Sequence, residues 1–243
     1  TISDEKASQR LPILTIIVVI ITAVGAVLQF VNPAVLTALR RDPNALAASQ
    51  WWRLISPLLV LDGNLWVHFA LDVVGFLIVG TVVERRFGSL RWFILFITAA
   101  LVGELVGYVW DPTGAGASIA LCGLMGGLVI WQIRHKDLQF IPSLYTVGLI
   151  AALTFEAIAA LLTSDSTVEV IIAVVVCAVL INVLVILRGR ASDPGIPTYY
   201  VGAVTLLGAV ILLFLHDIHG AALLTGLVVA VGVLWLRDRP IFK

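Results

Sequence analysis

Residues 116–133 read GASIALCGLMGGLVIWQI. The run carries no charge, opens on small residues that include Ser118, and approaches the roughly 20 residues a helix needs to cross a bilayer. Comparable runs recur on both sides of it. They span Leu11 to about Val31, Trp66–Val83, Arg91–Trp110, Gly116–Ile133, Ser143–Thr163, Thr167–Leu187, Tyr199–Leu215 and His219–Leu236. Composition agrees: 60% of residues are hydrophobic and 12% charged, against about 25% charged in a soluble domain. That is too few charges to cover a surface in water. The expected fold is all-α, a polytopic transmembrane helix bundle of about eight spans, because lipid cannot satisfy open backbone groups. The whole chain, 1–243, reads as a single transmembrane domain.

The net charge is zero, which points away from a nucleic-acid partner and leaves the lipid bilayer as the surrounding medium. Cys122 and Cys177 lie inside apolar runs, at a spacing that suggests neither a metal site nor a disulfide framework. The first ten residues are polar, and the run after them is too long to read as a signal peptide. Six tryptophans, Trp51, Trp52, Trp66, Trp92, Trp110 and Trp235, fall near run ends, where an aromatic belt is expected.

Basic residues in short loops set orientation. With a cytoplasmic N-terminus, the cytoplasmic links hold Arg85, Arg86 and Arg91, then Arg134 and Lys136, then Arg188 and Arg190, and the tail adds Arg237, Arg239 and Lys243. The opposite side holds Asp111, Asp165 and Asp217. The exception is the long first connection, with Arg40, Arg41 and Arg53. The expectation is a multi-pass protein of the cell membrane with both termini cytoplasmic.

Ionisable groups at membrane depth are costly and are functional candidates. They are His68, Asp72, Glu104, Glu156 and His219, with His216 and Asp217 just before the last run. Ser118 stands where a helix opens, beside backbone N–H groups that lack intrahelical partners and could stabilise an oxyanion; an ordinary helix cap would use the same residue. Ser118, Cys122 and Gly126 share one helix face, and His219, Ala222, Gly226 and Ala230 share another. Small residues at this spacing let membrane helices approach closely. If the two stripes meet, so do Ser118 and His219, and a histidine in hydrogen-bond reach activates a serine. Packing alone would also account for the stripes. His68 and Asp72 lie one turn apart, as oxyanion donors, a proton relay or part of a metal site.

These residues, in this order, resemble the rhomboid intramembrane serine proteases. Trp52-Arg53-Leu54 is similar to the family's Trp-Arg motif, and His68 with Asp72 matches its His-x-x-x-Asn spacing. Glu84-Arg85-Arg86-Phe87-Gly88-Ser89 is similar to its Glu-Arg-x-x-Gly-Ser link. Gly116-Ala117-Ser118 with Cys122-Gly123-Leu124-Met125-Gly126-Gly127 is similar to its Gly-x-Ser-Gly and Gly-Leu-x-Gly segments, and His219 with Gly226 to its final-helix histidine and glycine. The resemblance covers residues 51–133 and 216–236, with additional spans inside 143–215. It implies a Ser–His dyad in a water-filled cavity opening outward. Ser118 would be the nucleophile and His219 the general base, with His68, Asp72 and the Ser118 amide at the oxyanion. Substrates would be transmembrane segments of other membrane proteins, and no cofactor or metal is implied. Three departures stand out. Ile119 replaces the glycine after the serine, Asp72 replaces the asparagine, and about 100 residues, room for three spans, separate Ser118 from His219. An ionised Asp72 would repel an oxyanion and a protonated one would donate to it; Asp72 orienting His68 is the simpler alternative. Two other readings of the chain stay open: an inactive relative that binds membrane proteins, and a transporter using Asp72, Glu104 and Glu156.

Overall fold

The computed structural model describes residues 11–162 and 166–237, and every element among them is helical. Asp165, Arg239 and Lys243, used above for orientation, lie outside the described residues. Eight long helices occupy the eight apolar runs. Helix α1 is Ile13–Val31. The first connection folds into two short helices, α2 (Ala34–Leu39) and α3 (Pro43–Ala47), and two 3₁₀ turns, Trp51–Leu54 and Ser56–Leu59. Then follow α4 (Leu65–Phe87), α5 (Ser89–Trp110), α6 (Ser118–His135), α7 (Phe140–Leu162), α8 (Ser166–Arg190), α9 (Gly195–Phe214) and α10 (Ile218–Arg237). The helices run a few residues past several apolar runs because their polar ends, such as Arg134–His135 and Arg188–Arg190, continue the backbone hydrogen bonding beyond the hydrocarbon.

Six of the eight, α1, α4, α5, α7, α8 and α9, are long and apolar enough to span a membrane by themselves. Helix α6 stands apart for a physical reason. It is encased by its neighbours, with every residue from Ile119 to Val129 buried, so it can carry glycines and Gln132 without facing lipid. Its partners are α4, α5, α9 and α10. Gly123 and Gly126 on α6 face Gly226 on α10 so closely that a Cβ on Gly126 would lie 2.7 Å from the Leu223 carbonyl oxygen. The two small-residue stripes therefore meet. Helix α8 is the opposite case. It packs on α7 and α9 at the rim, and Val174, Val175, Val179 and Ile186 are exposed where lipid would lie.

The first connection is not a solvated loop. Arg41 is 1% exposed and Arg53 6%. Arg53 donates to Gln50 and to the Thr37 and Arg40 carbonyls. Arg41 donates from Nη1 to Glu104 Oε2 at 3.1 Å, and from Nη2 to Asp111 Oδ2 at 2.6 Å. Of the three arginines that looked like an exception to the charge asymmetry, Arg41 is neutralised by Glu104 and Asp111, and Arg53 is buried on neutral acceptors. Glu104 is accounted for by the same ion pair, and Glu156 is exposed on α7. Asp72 lines a cavity, so the three acids offered as a transport path have three different settings.

The Glu84 link also has a structural basis. Glu84 accepts from the Leu14 and Thr15 amides, the Thr15 hydroxyl and the Ser89 hydroxyl, tying the start of α1 to the α4–α5 turn. A carboxylate at a helix start suits its unpaired N–H groups. Trp92 departs from the aromatic-belt expectation. It is buried and donates to the Gly80 carbonyl, which belongs to a π-helical segment, Phe76–Gly80, inside α4. The Trp235 side chain lies outside the described residues.

Candidate active site

Ser118 and His219, 101 residues apart, open α6 and α10 side by side. Ser118 Oγ lies 2.9 Å from His219 Nε2. The pair borders a cavity of about 290 Å³ at the end of the bundle where both helices begin. His68, Asp72, Asp62 and Gly116 line the same space.

The Ser118 turn is held from several directions. Gly116 has φ +152°, a conformation glycine adopts readily. Its N–H donates to the Pro57 carbonyl, the Asp62 N–H to the Ala115 carbonyl, and the Arg41 N–H to the Gly114 carbonyl. The first connection thus lies along residues 114–116 as a backbone brace. Arg41 adds a clamp, since its Nε donates to the Asp111 carbonyl at 2.8 Å. Ser118 is the first residue of α6, so its own N–H has no partner inside the helix.

Asp72 is buried in α4 and lines the cavity. Its Oδ2 has no hydrogen-bond partner among the described residues. His68 is exposed at the cavity, and no hydrogen bond joins it to Asp72, so orientation of His68 by Asp72 has no counterpart in the geometry. Among the described residues no group of three or more His, Cys, Asp or Glu is arranged to hold a metal. Ile119 fits without displacing the helices, because it packs against Gly103 of α5, where an added Cβ would meet it at 3.1 Å.

One residue of the site went unassigned in the sequence. Asp217 appears there as an acid of the non-cytoplasmic side and among the ionisable groups before the last run, with no role of its own. In the fold it directly precedes α10, and its Oδ1 accepts from the His219 backbone N–H at 2.8 Å and lies 2.7 Å from His219 Nδ1. Burial opposes ionisation of Asp217. The hydrogen bonds and charge of His219 outweigh it and hold the carboxyl below its ordinary range. The available signal is the Asp-x-His spacing at a helix start, where an N-cap carboxylate reaches the second helical residue.

Fold and site together define an all-helical, multi-pass membrane protein with a serine–histidine pair at a cavity within the bundle. The model of the rhomboid domain matches residues 48–171, half of the sequence, and the chain belongs to the rhomboid family. It is 35% identical over 109 residues to Rhomboid protease GluP of Bacillus subtilis (strain 168), covering 44% of this chain and 21% of that protein. It is 34% identical over 95 residues to Rhomboid protease GlpG of Haemophilus influenzae, covering 39% of this chain and 48% of that protein. Rhomboid-like protease 3 of Toxoplasma gondii is 29% identical over 107 residues, with 41% and 40% covered. The matched stretch is thus less than half the length of each of these relatives.

Proposed function

We propose that this chain is an intramembrane serine endopeptidase that cleaves transmembrane segments of other membrane proteins. The observation that carries the reading is the 2.9 Å contact between Ser118 Oγ and His219 Nε2 beside a cavity inside a membrane bundle. In the reaction, Ser118 Oγ attacks the carbonyl carbon of the scissile peptide while its proton passes to His219 Nε2. The carbonyl electrons move onto oxygen, and the oxyanion is met by the Ser118 N–H, His68 and Asp72. Collapse breaks the C–N bond, and the leaving amine takes the proton from Nε2. Water, activated by the same imidazole, then hydrolyses the acyl-enzyme and frees Ser118. The test is labelling by a fluorophosphonate probe of the protein in detergent. Modification at Ser118 is expected, and an unlabelled Ser118 in folded protein would contradict the assignment.

Asp72 is assigned here as a protonated carboxyl that donates to the oxyanion, its unpartnered Oδ2 being the available oxygen. An amide donates at every pH. Asp72→Asn is therefore expected to keep or raise the cleavage rate. A folded but inactive Asp72→Asn protein would show that the carboxylate itself is needed.

The chain acts as one transmembrane domain in the cell membrane, with both termini cytoplasmic. The pairing of Arg41 with Glu104 and Asp111 supports this orientation, since it offsets one of the basic residues on the non-cytoplasmic side. A cysteine placed at Ser192, in the α8–α9 link, is expected to react with membrane-impermeant maleimide only from the cytoplasmic side, and one at Thr113 only from outside. The reverse pattern would overturn the orientation.

A further inference from the structure

His219 is held at both ring nitrogens. Nε2 faces Ser118 Oγ at 2.9 Å, and Nδ1 faces Asp217 Oδ1 at 2.7 Å. The turn that carries Asp217 is itself fixed. The Asp217 N–H donates to the Leu212 carbonyl, His216 takes the left-handed region at φ 59°, and the His216 ring stands edge-on to Trp110 at 5.1 Å. A helix cap requires only that Asp217 accept from the His219 backbone N–H. The ring contact is additional, and it has a chemical consequence. In neutral imidazole one nitrogen is a donor and the other an acceptor. An Nδ1–H directed at a carboxylate leaves the Nε2 lone pair pointing at Ser118. In the other tautomer Nε2–H would donate to Oγ and could not take its proton.

We infer that Asp217 is a positioning residue, which holds His219 in the tautomer and orientation that a base for Ser118 requires and makes the pair a triad. The inference rests on the assignment of Ser118 and His219 above. The family resemblance supplies the serine, the histidine and the oxyanion residues, and no partner for the histidine. When Ser118 Oγ bonds to the substrate carbon and its proton moves to Nε2, the imidazolium is flanked by an anion that stays ionised and takes no proton. A carboxyl held below its ordinary range by its bonds to His219 suits that task.

Asp217→Ser and Asp217→Asn separate positioning from capping, because serine and asparagine both cap helices. Serine is too short to hold the ring nitrogen as well as the backbone, and asparagine loses the charge. Purified in detergent, both variants are expected to melt close to the wild-type temperature. Each is expected to lose about 100-fold in kcat and in fluorophosphonate labelling rate, with KM little changed. That is the low end of what a positioned base contributes, because the Asp217 and His219 side chains are 25% and 18% exposed and water shares their charge. In 15N-histidine spectra, wild-type His219 is expected as the Nδ1–H tautomer, with Asp217→Ser shifting it toward Nε2–H. Unchanged rates in both variants, or a wild-type His219 protonated at Nε2, would overturn the inference. An unlabelled wild-type Ser118 would instead overturn the nucleophile assignment, and the tautomer measurement, which needs no turnover, would still decide the role of Asp217.

Discussion

Ser118→Ala and His219→Ala are each expected to reduce cleavage of a model transmembrane substrate by at least about 10³-fold, and the double variant to be no worse than either. Groups that act as a unit lose their joint contribution when either is removed, so the losses do not add. The structural basis is the single short contact between them, 2.9 Å across helices that start side by side. Neither change opens a large hole. Ser118 and His219 are both only half-buried at the cavity, and each is replaced by a good helix former. Loss of activity in a variant that melts normally would therefore report on chemistry. The measurement is the initial rate of product formation by purified protein, with substrate reconstituted in the same detergent. Full cleavage by Ser118→Ala would remove the nucleophile assignment. Losses that multiply in the double variant would mean that the two residues act independently.

The bundle and the Ser118–His219 encounter were legible in the sequence for the same reason. In lipid, apolar length marks each helix, and small residues at spacings of three and four mark the faces that approach. The stripe through Ser118, Cys122 and Gly126 and the stripe through His219, Ala222 and Gly226 do face each other. Other parts of the site were hidden by range or by detail. Arg41 reaches Glu104 and Asp111 across 63 and 70 residues, and no local pattern distinguishes a buried arginine from a loop charge. The π-helical segment in α4 follows an apolar run like any other. The role of Asp217 depends on one side-chain rotation that brings a capping carboxylate to a ring nitrogen, and an acid before a histidine at a helix start does not by itself specify it. The additional helices between Ser118 and His219 were countable in advance, and an odd number of them returns α10 in the direction that brings His219 to the serine. The rim position of α8 was not legible, because a lipid-facing helix and a buried one are both apolar.

Gly226→Leu is expected to abolish cleavage and to destabilise the protein by about 1–3 kcal/mol or more, as overpacking of a filled interior does. The argument starts from the backbone. A Cβ at Gly226 would fall on the Gly123 carbonyl of α6, and one at Gly126 would lie 2.7 Å from the Leu223 oxygen and 2.8 Å from the Leu227 nitrogen. Neither helix has a flexible side chain there that could yield, so α6 and α10 must separate. Both carry a member of the Ser118–His219 pair on the same stripes, two helical turns or less from the clash. A shift of about 1 Å between reacting groups can cost roughly 100-fold in rate, and separation by a leucine exceeds that. Gly226→Ala tests the same point with the smallest side chain, and is expected to lose activity in part. Gly232 supplies the internal control, since a Cβ there meets nothing within 4 Å. Gly232→Leu should leave both the melting temperature and the cleavage rate near wild type. If Gly226→Leu were as active and as stable as Gly232→Leu, the close approach of α6 and α10 would not be what holds Ser118 against His219.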